Sequence, residues 1–261
     1  MPTSFPTAQT RTGRQHRTCQ GRSEAPSPAR VTGASGSLGQ ALLRELHRQG
    51  ASLVALTSGS TPLTLTDPHG QAIPLRQHRW SCGREEELRE LLAGVDILVL
   101  NHGVNVHGDR SADALQRSLE VNALSCWRLL ELFASLTEPA SGGLERPREL
   151  WMNTSEAEIQ PALSPLYEIS KRLQGQLLSL RSLELSGRQL RIRRLVLGPF
   201  RSALNPIGVM SPDFVARAVV RQALWNWGLV IVSPNPLTYL LMPMTALARW
   251  TYFRLFSRAT T

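Results

Sequence analysis

Thr32-Gly-Ala-Ser-Gly-Ser-Leu-Gly39 is a glycine-rich turn that runs directly into Gln40-Ala-Leu-Leu-Arg-Glu-Leu-His-Arg-Gln-Gly50, a stretch with the apolar spacing of an amphipathic helix. Glycines at such a turn let main-chain N–H groups approach a pyrophosphate seated on the helix N-terminus. Gly33, Ser35, Gly36, Ser37, Leu38 and Gly39 are therefore candidate cofactor-binding residues, although turns of this composition also serve as plain structural corners. Working outward, short apolar runs alternate with helical stretches. Leu53 to Thr57, Leu75 to Trp80, Asp96 to Asn101, Leu150 to Asn153, Leu190 to Leu197 and Leu229 to Val232 read as strands. Between them, 38–49, 84–93, 111–136, 164–186 and 212–226 read as helices. Strand and helix alternating along a whole chain predict one α/β domain, a Rossmann-type doubly wound parallel sheet with helices on both faces.

The element before the turn fits worst. A buried parallel strand should be continuous Val, Ile and Leu, and here the run is Ala25-Pro-Ser-Pro-Ala-Arg-Val31-Thr32. Either this strand is very short, or the encoded N-terminus departs from what the fold expects.

The 261 residues suffice for one large core. The net charge of +9 is unevenly placed: over residues 1–30, a Pro/Ser/Thr-rich stretch, Arg11, Arg14, Arg17, Arg22 and Arg30 against Glu24 hold four of those charges. The rest is scattered, without a basic stripe or interleaved aromatics, which argues against nucleic acid as a partner. The leader, 1–29, lacks the apolar core of a secretory signal and suits a disordered extension or a targeting segment. Cys19, Cys82 and Cys126 are odd in number and have no paired spacing, pointing to a reducing, cytoplasmic setting without disulfides. His102 and His107 stand five apart, which does not suit a helical metal pair, so no metal is expected.

Tyr167-Glu-Ile-Ser-Lys171 carries the sharper chemistry. Ser164 and Pro165 read as N-cap and first residue of a helix, and a spacing of four puts Tyr167 and Lys171 on one face. A neighbouring ammonium stabilises phenolate, which suits a phenol that passes a proton to a carbonyl oxygen or takes one from an alcohol. Of the 29 basic residues, reading the rows finds one lysine, Lys171. A chain that uses arginine everywhere else keeps lysine where a compact, rotatable ammonium differs from a planar fork.

With these residues in place, the chain resembles the short-chain dehydrogenase/reductase family over 31 to about 235. That resemblance implies an NAD(P)-dependent oxidoreductase with Tyr167 as acid/base and Lys171 beside it, gripping the nicotinamide ribose. Asn101-His102-Gly103 matches the family's turn beside the adenosine half of the cofactor, Asn122 its helix asparagine holding a relay water, and Pro199 in Gly198-Pro199 its turn over the nicotinamide. Ser155 matches the serine sharing the substrate oxygen, one residue closer to the tyrosine than usual, so that Thr154 occupies the usual spacing. Two further departures are Ser37, where the family's commonest pattern has glycine, and the missing acid in Arg79-Trp-Ser-Cys82. The part after Tyr167 is also similar to dehydrogenase portions found together with sterol-desaturase-like domains. Such a domain needs several apolar spans and clustered histidines, and this chain has neither.

No Asp or Glu follows the second strand at Thr57-Ser58-Gly59-Ser60, so nothing there repels a 2′-phosphate or grips a free ribose diol; NADP is favoured over NAD. No arginine or lysine stands in that segment either. Beyond the 30–235 domain, 236–261 has a run of uncharged residues broken by Pro243 and then aromatics among arginines. It is too short to span a bilayer, and two readings stay open: a helix lying at a membrane surface through 237–258, or a seam against its own domain or a second copy in a homo-oligomer. The expected activity is interconversion of a ketone and a secondary alcohol on a small hydrophobic, lipidic substrate. The rival is a non-catalytic Rossmann partner or regulator of a membrane enzyme, supported by the poor first strand and the altered glycine turn.

Overall fold

The computed structural model describes residues 27–137, 147–185 and 189–256. Most of the leader therefore lies outside the described residues. Seven strands, β1 (Pro28–Thr32), β2 (Ser52–Thr57), β3 (Leu75–Arg79), β4 (Ile97–Leu100), β5 (Arg148–Ser155), β6 (Leu190–Leu197) and β7 (Leu229–Val232), form one parallel sheet in the order β3-β2-β1-β4-β5-β6-β7. The order reverses between β1 and β4. In an open parallel sheet the crevice outside the strand C-termini at that reversal is where ligands bind.

The first strand is better formed than its composition suggests. Pro28 opens it, where a missing N–H costs least, and its carbonyl still accepts from Asp96 N at 3.0 Å. Ala29, Val31 and Thr32 are fully buried between the neighbouring strands. Arg30 is accommodated at a cost, because burial and nearby Arg76 lower its pKa and its Nε has no partner.

Helices α1 (Ser37–Arg48) and α6 (Pro212–Leu224) cover one face through Leu38, Leu42, Leu46, Val215 and Val219. On the other, α2 (Arg89–Ala93), α4 (Ser125–Ser135) and α5 (Pro165–Glu184) bring Leu92, Leu129, Phe133 and Leu178 against Val54, Leu98 and Leu150. The single helix predicted over 111–136 is instead α3 (Ala112–Leu119), a π-turn over Glu120–Leu124, and then α4. Such bulges insert a residue into a helix and often sit at functional sites. This one contains Asn122, whose side chain bonds to the main chain of the β4 loop and to α5 rather than to solvent.

The last helix, α7 (Pro236–Phe256), is fixed to the domain near its start, where Thr238 and Met242 are buried, Met242 against Val196 and Ile231, and again at Arg249, whose Nη1 donates to Ser179 Oγ of α5 at 2.9 Å. Burying that methionine contributes on the order of 2 kcal/mol.

Candidate active site

Gly33 has φ +60°, and a Cβ there would lie 2.8 Å from Cα of His102 and 2.9 Å from the oxygen of Asn101. The turn after β1 and the turn after β4 can close on each other only with glycine at 33. Thr32, buried beneath them, accepts from the main-chain N–H of Asn101 at 2.9 Å and donates to Val99 O at 3.2 Å, while His102 Nδ1 lies 2.8 Å away. Burial and the charge of Lys171 push the His102 imidazole down to about 4, so it is neutral near pH 7.

Gly39 faces away from the cleft, in contact distance of Gly33 O and Ala34 Cα, and serves the packing of α1 on the turn. Ser37 opens α1 without positive φ, and its hydroxyl donates to Arg201 O at 3.3 Å. Serine at this position therefore costs the turn nothing. Ser35 and Gly36 remain exposed at the helix start, and these main-chain groups fit a pyrophosphate.

From this cradle a cavity of about 1140 Å³ extends across the strand ends to Tyr167. That is somewhat larger than most small-molecule sites, ~300–1000 Å³, and leaves room for a dinucleotide and a second molecule. Gly33, Ser35, Gly36, Ser37, Leu38, Asn101, His102, Gly103, Ser155, Tyr167, Lys171 and Pro199 all line it. Asn122 does not. Its Oδ1 accepts from Val104 N at 2.8 Å, and its Nδ2 donates to Val104 O and to Ser170 Oγ, both at 2.9 Å. The side chain is thus spent on holding the β4 loop to α5, and a relay water would have to use main-chain atoms.

Lys171 is buried, and its Nζ lies 5.7 Å from the centroid of the Tyr167 ring. It donates to Asn153 O at 3.2 Å and to Gln174 Oε1 at 2.9 Å. The Tyr167 hydroxyl makes no hydrogen bond with the described residues, which leaves it open to a ligand. Thr154 and Ser155 close β5 on opposite faces. The Thr154 hydroxyl donates to Leu195 O at 3.2 Å, whereas Ser155 Oγ accepts from Ala157 N at 3.2 Å and keeps its proton to give. This geometry favours Ser155 over Thr154. Ser164 occupies the N-cap position of α5 but does not cap it; its hydroxyl donates to His107 O at 2.7 Å and ties down a loop of the cleft.

Two features escape a sequence reading. Strand register pairs Thr57 with Arg79, and Arg79 Nε donates to Ser58 O at 3.3 Å. A guanidinium thus does stand at the end of β2, delivered from β3. The apolar side chains Leu163, Pro206 and Ile207 also converge on the mouth, with Leu163 93 % exposed.

The fold and this arrangement are similar to those of short-chain dehydrogenases. Residues 29–157 match the profile of the NAD dependent epimerase/dehydratase family. The chain is similar to the monoglucosyldiacylglycerol epimerase of Synechocystis sp., 45 % identical over 228 residues that cover 87 % of this chain and 54 % of that protein. It thus spans about half the length of that relative. Among solved structures, a short-chain dehydrogenase from Burkholderia cenocepacia in complex with NADP superposes with TM-score 0.68 at 18 % identity, over 89 % of this chain and 98 % of the other. A short-chain dehydrogenase from Sphingobium yanoikuyae in complex with NADPH gives 0.69 at 16 % identity, over 90 % and 98 %. At such identities these likenesses speak to the fold.

Proposed function

We propose that the chain is a nicotinamide-dinucleotide-dependent oxidoreductase that interconverts a secondary alcohol and a ketone on a lipidic substrate. The observation that carries this reading is the placement of Tyr167, Lys171 and Ser155 at one end of a cleft whose other end is the Gly33–Leu38 cradle. A bound dinucleotide would supply hydride acceptance and return at the carbinol carbon. Tyr167 Oη takes the hydroxyl proton as the ketone forms, or gives it back in the other direction. Ser155 Oγ donates to the same oxygen, and the Lys171 ammonium stabilises the charge that develops on the phenol. The apolar mouth at Leu163 and Ile207 suits an acyl or sterol body. The test is absorbance in the nicotinamide band with a panel of lipid-linked secondary alcohols and ketones. Binding without turnover across the panel would favour the non-catalytic rival.

The name of the Synechocystis relative favours a second reading with the same residues. In an epimerase the oxidation is followed by reduction of the same carbon from its other face. Product stereochemistry would then invert with no net change in nicotinamide absorbance.

Arg79 supports NADP over NAD, since a guanidinium beside Ser58 O has Nη atoms to offer a 2′-phosphate. NADP is expected to bind about tenfold more tightly than NAD, and Arg79→Gln to erase most of that preference. A preference for NAD, or an unchanged ratio in the variant, would remove Arg79 from this role.

Residues 236–256 support placement at a lipid surface. No helix among the described residues is long and apolar enough to cross a membrane. Leu240, Leu247, Tyr252, Leu255 and Phe256 of α7 are each more than half exposed, and Arg254 lies 5.1 Å over the Trp250 ring, a pattern suited to an interfacial helix. Cutting the chain after Pro236 would be a poor test, because it removes buried Thr238 and Met242. The double substitution Leu247→Glu/Leu255→Glu spares both. The full chain is expected to float with anionic vesicles and this variant to stay in the soluble fraction. A full chain that remains soluble as a dimer would instead make this face a subunit seam.

A further inference from the structure

Lys171 is held by neutral acceptors. The residue is 4 % exposed, and its ammonium donates to Asn153 O at 3.2 Å and Gln174 Oε1 at 2.9 Å and forms no ion pair with the described residues. Three protons less these two bonds leave one for the side facing Tyr167 and the cleft. Gln174 stands three residues on along α5, itself 1 % exposed. Its Nε2 is buried without an oxygen or nitrogen partner, with only the Cys126 thiol, a weak acceptor, beside it. An N–H so poorly paired in a core carries a desolvation penalty, and leucine or methionine would fill the same space without one. The amide is therefore kept for its oxygen.

We infer that Gln174 is a positioning residue, aiming the Lys171 ammonium at the Tyr167 phenol while adding no negative charge of its own beside that ammonium. A carboxylate at this place would hold the ammonium more firmly, yet it would also oppose the field that the phenol feels. The inference rests on the reading of Tyr167 and Lys171 as a working pair.

The ionisable groups around the ammonium agree with this role. Burial pushes the Cys126 thiol of α4, which lies beside the Gln174 amide, up to about 12, so it carries no charge near pH 7. His102, after β4, is neutral there too. Glu158, in the turn after β5, is paired with Arg194 of β6 at 3.0 Å, and Arg249 of α7 acts on it from behind. The glutamate fits there because Gly175, next to Gln174, has no Cβ to block its carboxyl. Arg117 of α3 lines the cleft as well. A buried acid thus already lies close by, under the charges of Arg194, Lys171 and Arg249, but the hydrogen bonds of the lysine go to a neutral carbonyl and a neutral amide.

The test uses the appearance of tyrosinate absorbance with rising pH in the full chain, each form measured against its own Tyr167→Phe counterpart, so that no substrate is needed. In Gln174→Glu the Tyr167 signal is expected to appear about one pH unit higher than in the unsubstituted chain. Gln174→Met, which keeps the volume and removes the acceptor, should shift it in the same direction by less. Where turnover is measurable, the methionine variant should lose about tenfold in kcat with KM little changed, the mark of a defect in the proton step. Dinucleotide titration of each variant checks that the cleft has formed, and if the glutamate form does not fold the methionine form decides. A tyrosinate curve that superposes on the unsubstituted one in a folded variant overturns the inference and leaves Gln174 as packing. A shifted curve in a chain that turns over no substrate would uphold it while the catalytic reading fails.

Discussion

Tyr167→Phe is expected to reduce turnover by at least a hundredfold while dinucleotide affinity stays within about threefold, because a positioned proton donor contributes ~10²–10⁴ in rate. The substitution removes one oxygen atom, and that oxygen makes no hydrogen bond with the described residues, so fold stability should barely change. Thermal melting should therefore superpose on that of the unsubstituted chain. The ring remains 5.7 Å from Lys171 Nζ, so the cleft keeps its shape and the ammonium its neighbour. Initial rates and a fluorescence titration with the dinucleotide, run on the same preparation, separate the two quantities. Activity retained within tenfold would remove Tyr167 from the proton step. Loss of binding together with activity would show that the phenol holds the dinucleotide rather than the proton.

Gly33→Ala should act at the opposite end, abolishing dinucleotide binding by a hundredfold or more. The residue sits at φ +60°, a conformation that costs alanine on the order of 1–3 kcal/mol, and the new methyl group would press against main-chain atoms of Asn101 and His102 that cannot swing aside. The least costly relief is to separate the β1 and β4 turns, which spoils the cradle for the pyrophosphate. Gly36→Ala is the control, because the only neighbour its methyl group would meet is Gly33 O at 3.4 Å and its φ is ordinary. Isothermal titration with the dinucleotide should show a large loss in the first variant and a much smaller one in the second. Equal affinities in both would mean that the turn does not form the binding surface.

Much of this architecture was legible because its signals are local. The run Leu229 to Val232 is continuous and apolar, as a strand covered on both faces must be, and Leu190 to Leu197 keeps Leu195-Val-Leu197 at its end despite three arginines; the structure returns both with the same bounds. The pairing of Tyr167 with Lys171 was legible because a spacing of four on a helix brings side chains together whatever else the chain does. What escaped is non-local. Arg79 reaches the end of β2 only through the β2–β3 register, which has no trace in the Thr57–Ser60 segment itself. The π-turn at Asn122 falls in a stretch whose apolar period continues through it, since the cause lies in bonds to Val104 and Ser170. The first strand was underrated because composition takes no account of place: proline is costly within a strand but not at its entrance.

Helix α7 is fastened close to the reacting groups. Thr238 Oγ1 donates to Glu156 Oε2 at 3.0 Å and accepts from Gln160 Nε2 at 2.9 Å, and Ser233 Oγ donates to that same carboxylate. Glu156 is the neighbour of Ser155. The 21 residues that follow Asn235 extend ~32 Å, so the helix is an arm anchored at the serine turn and braced again where Arg249 Nη1 donates to Ser179 Oγ at 2.9 Å, with its greasy, arginine-studded end beyond the brace. Whatever takes hold of Leu255 and Phe256 thereby bears on α5 through Ser179 and, further back, on the turn beside Ser155.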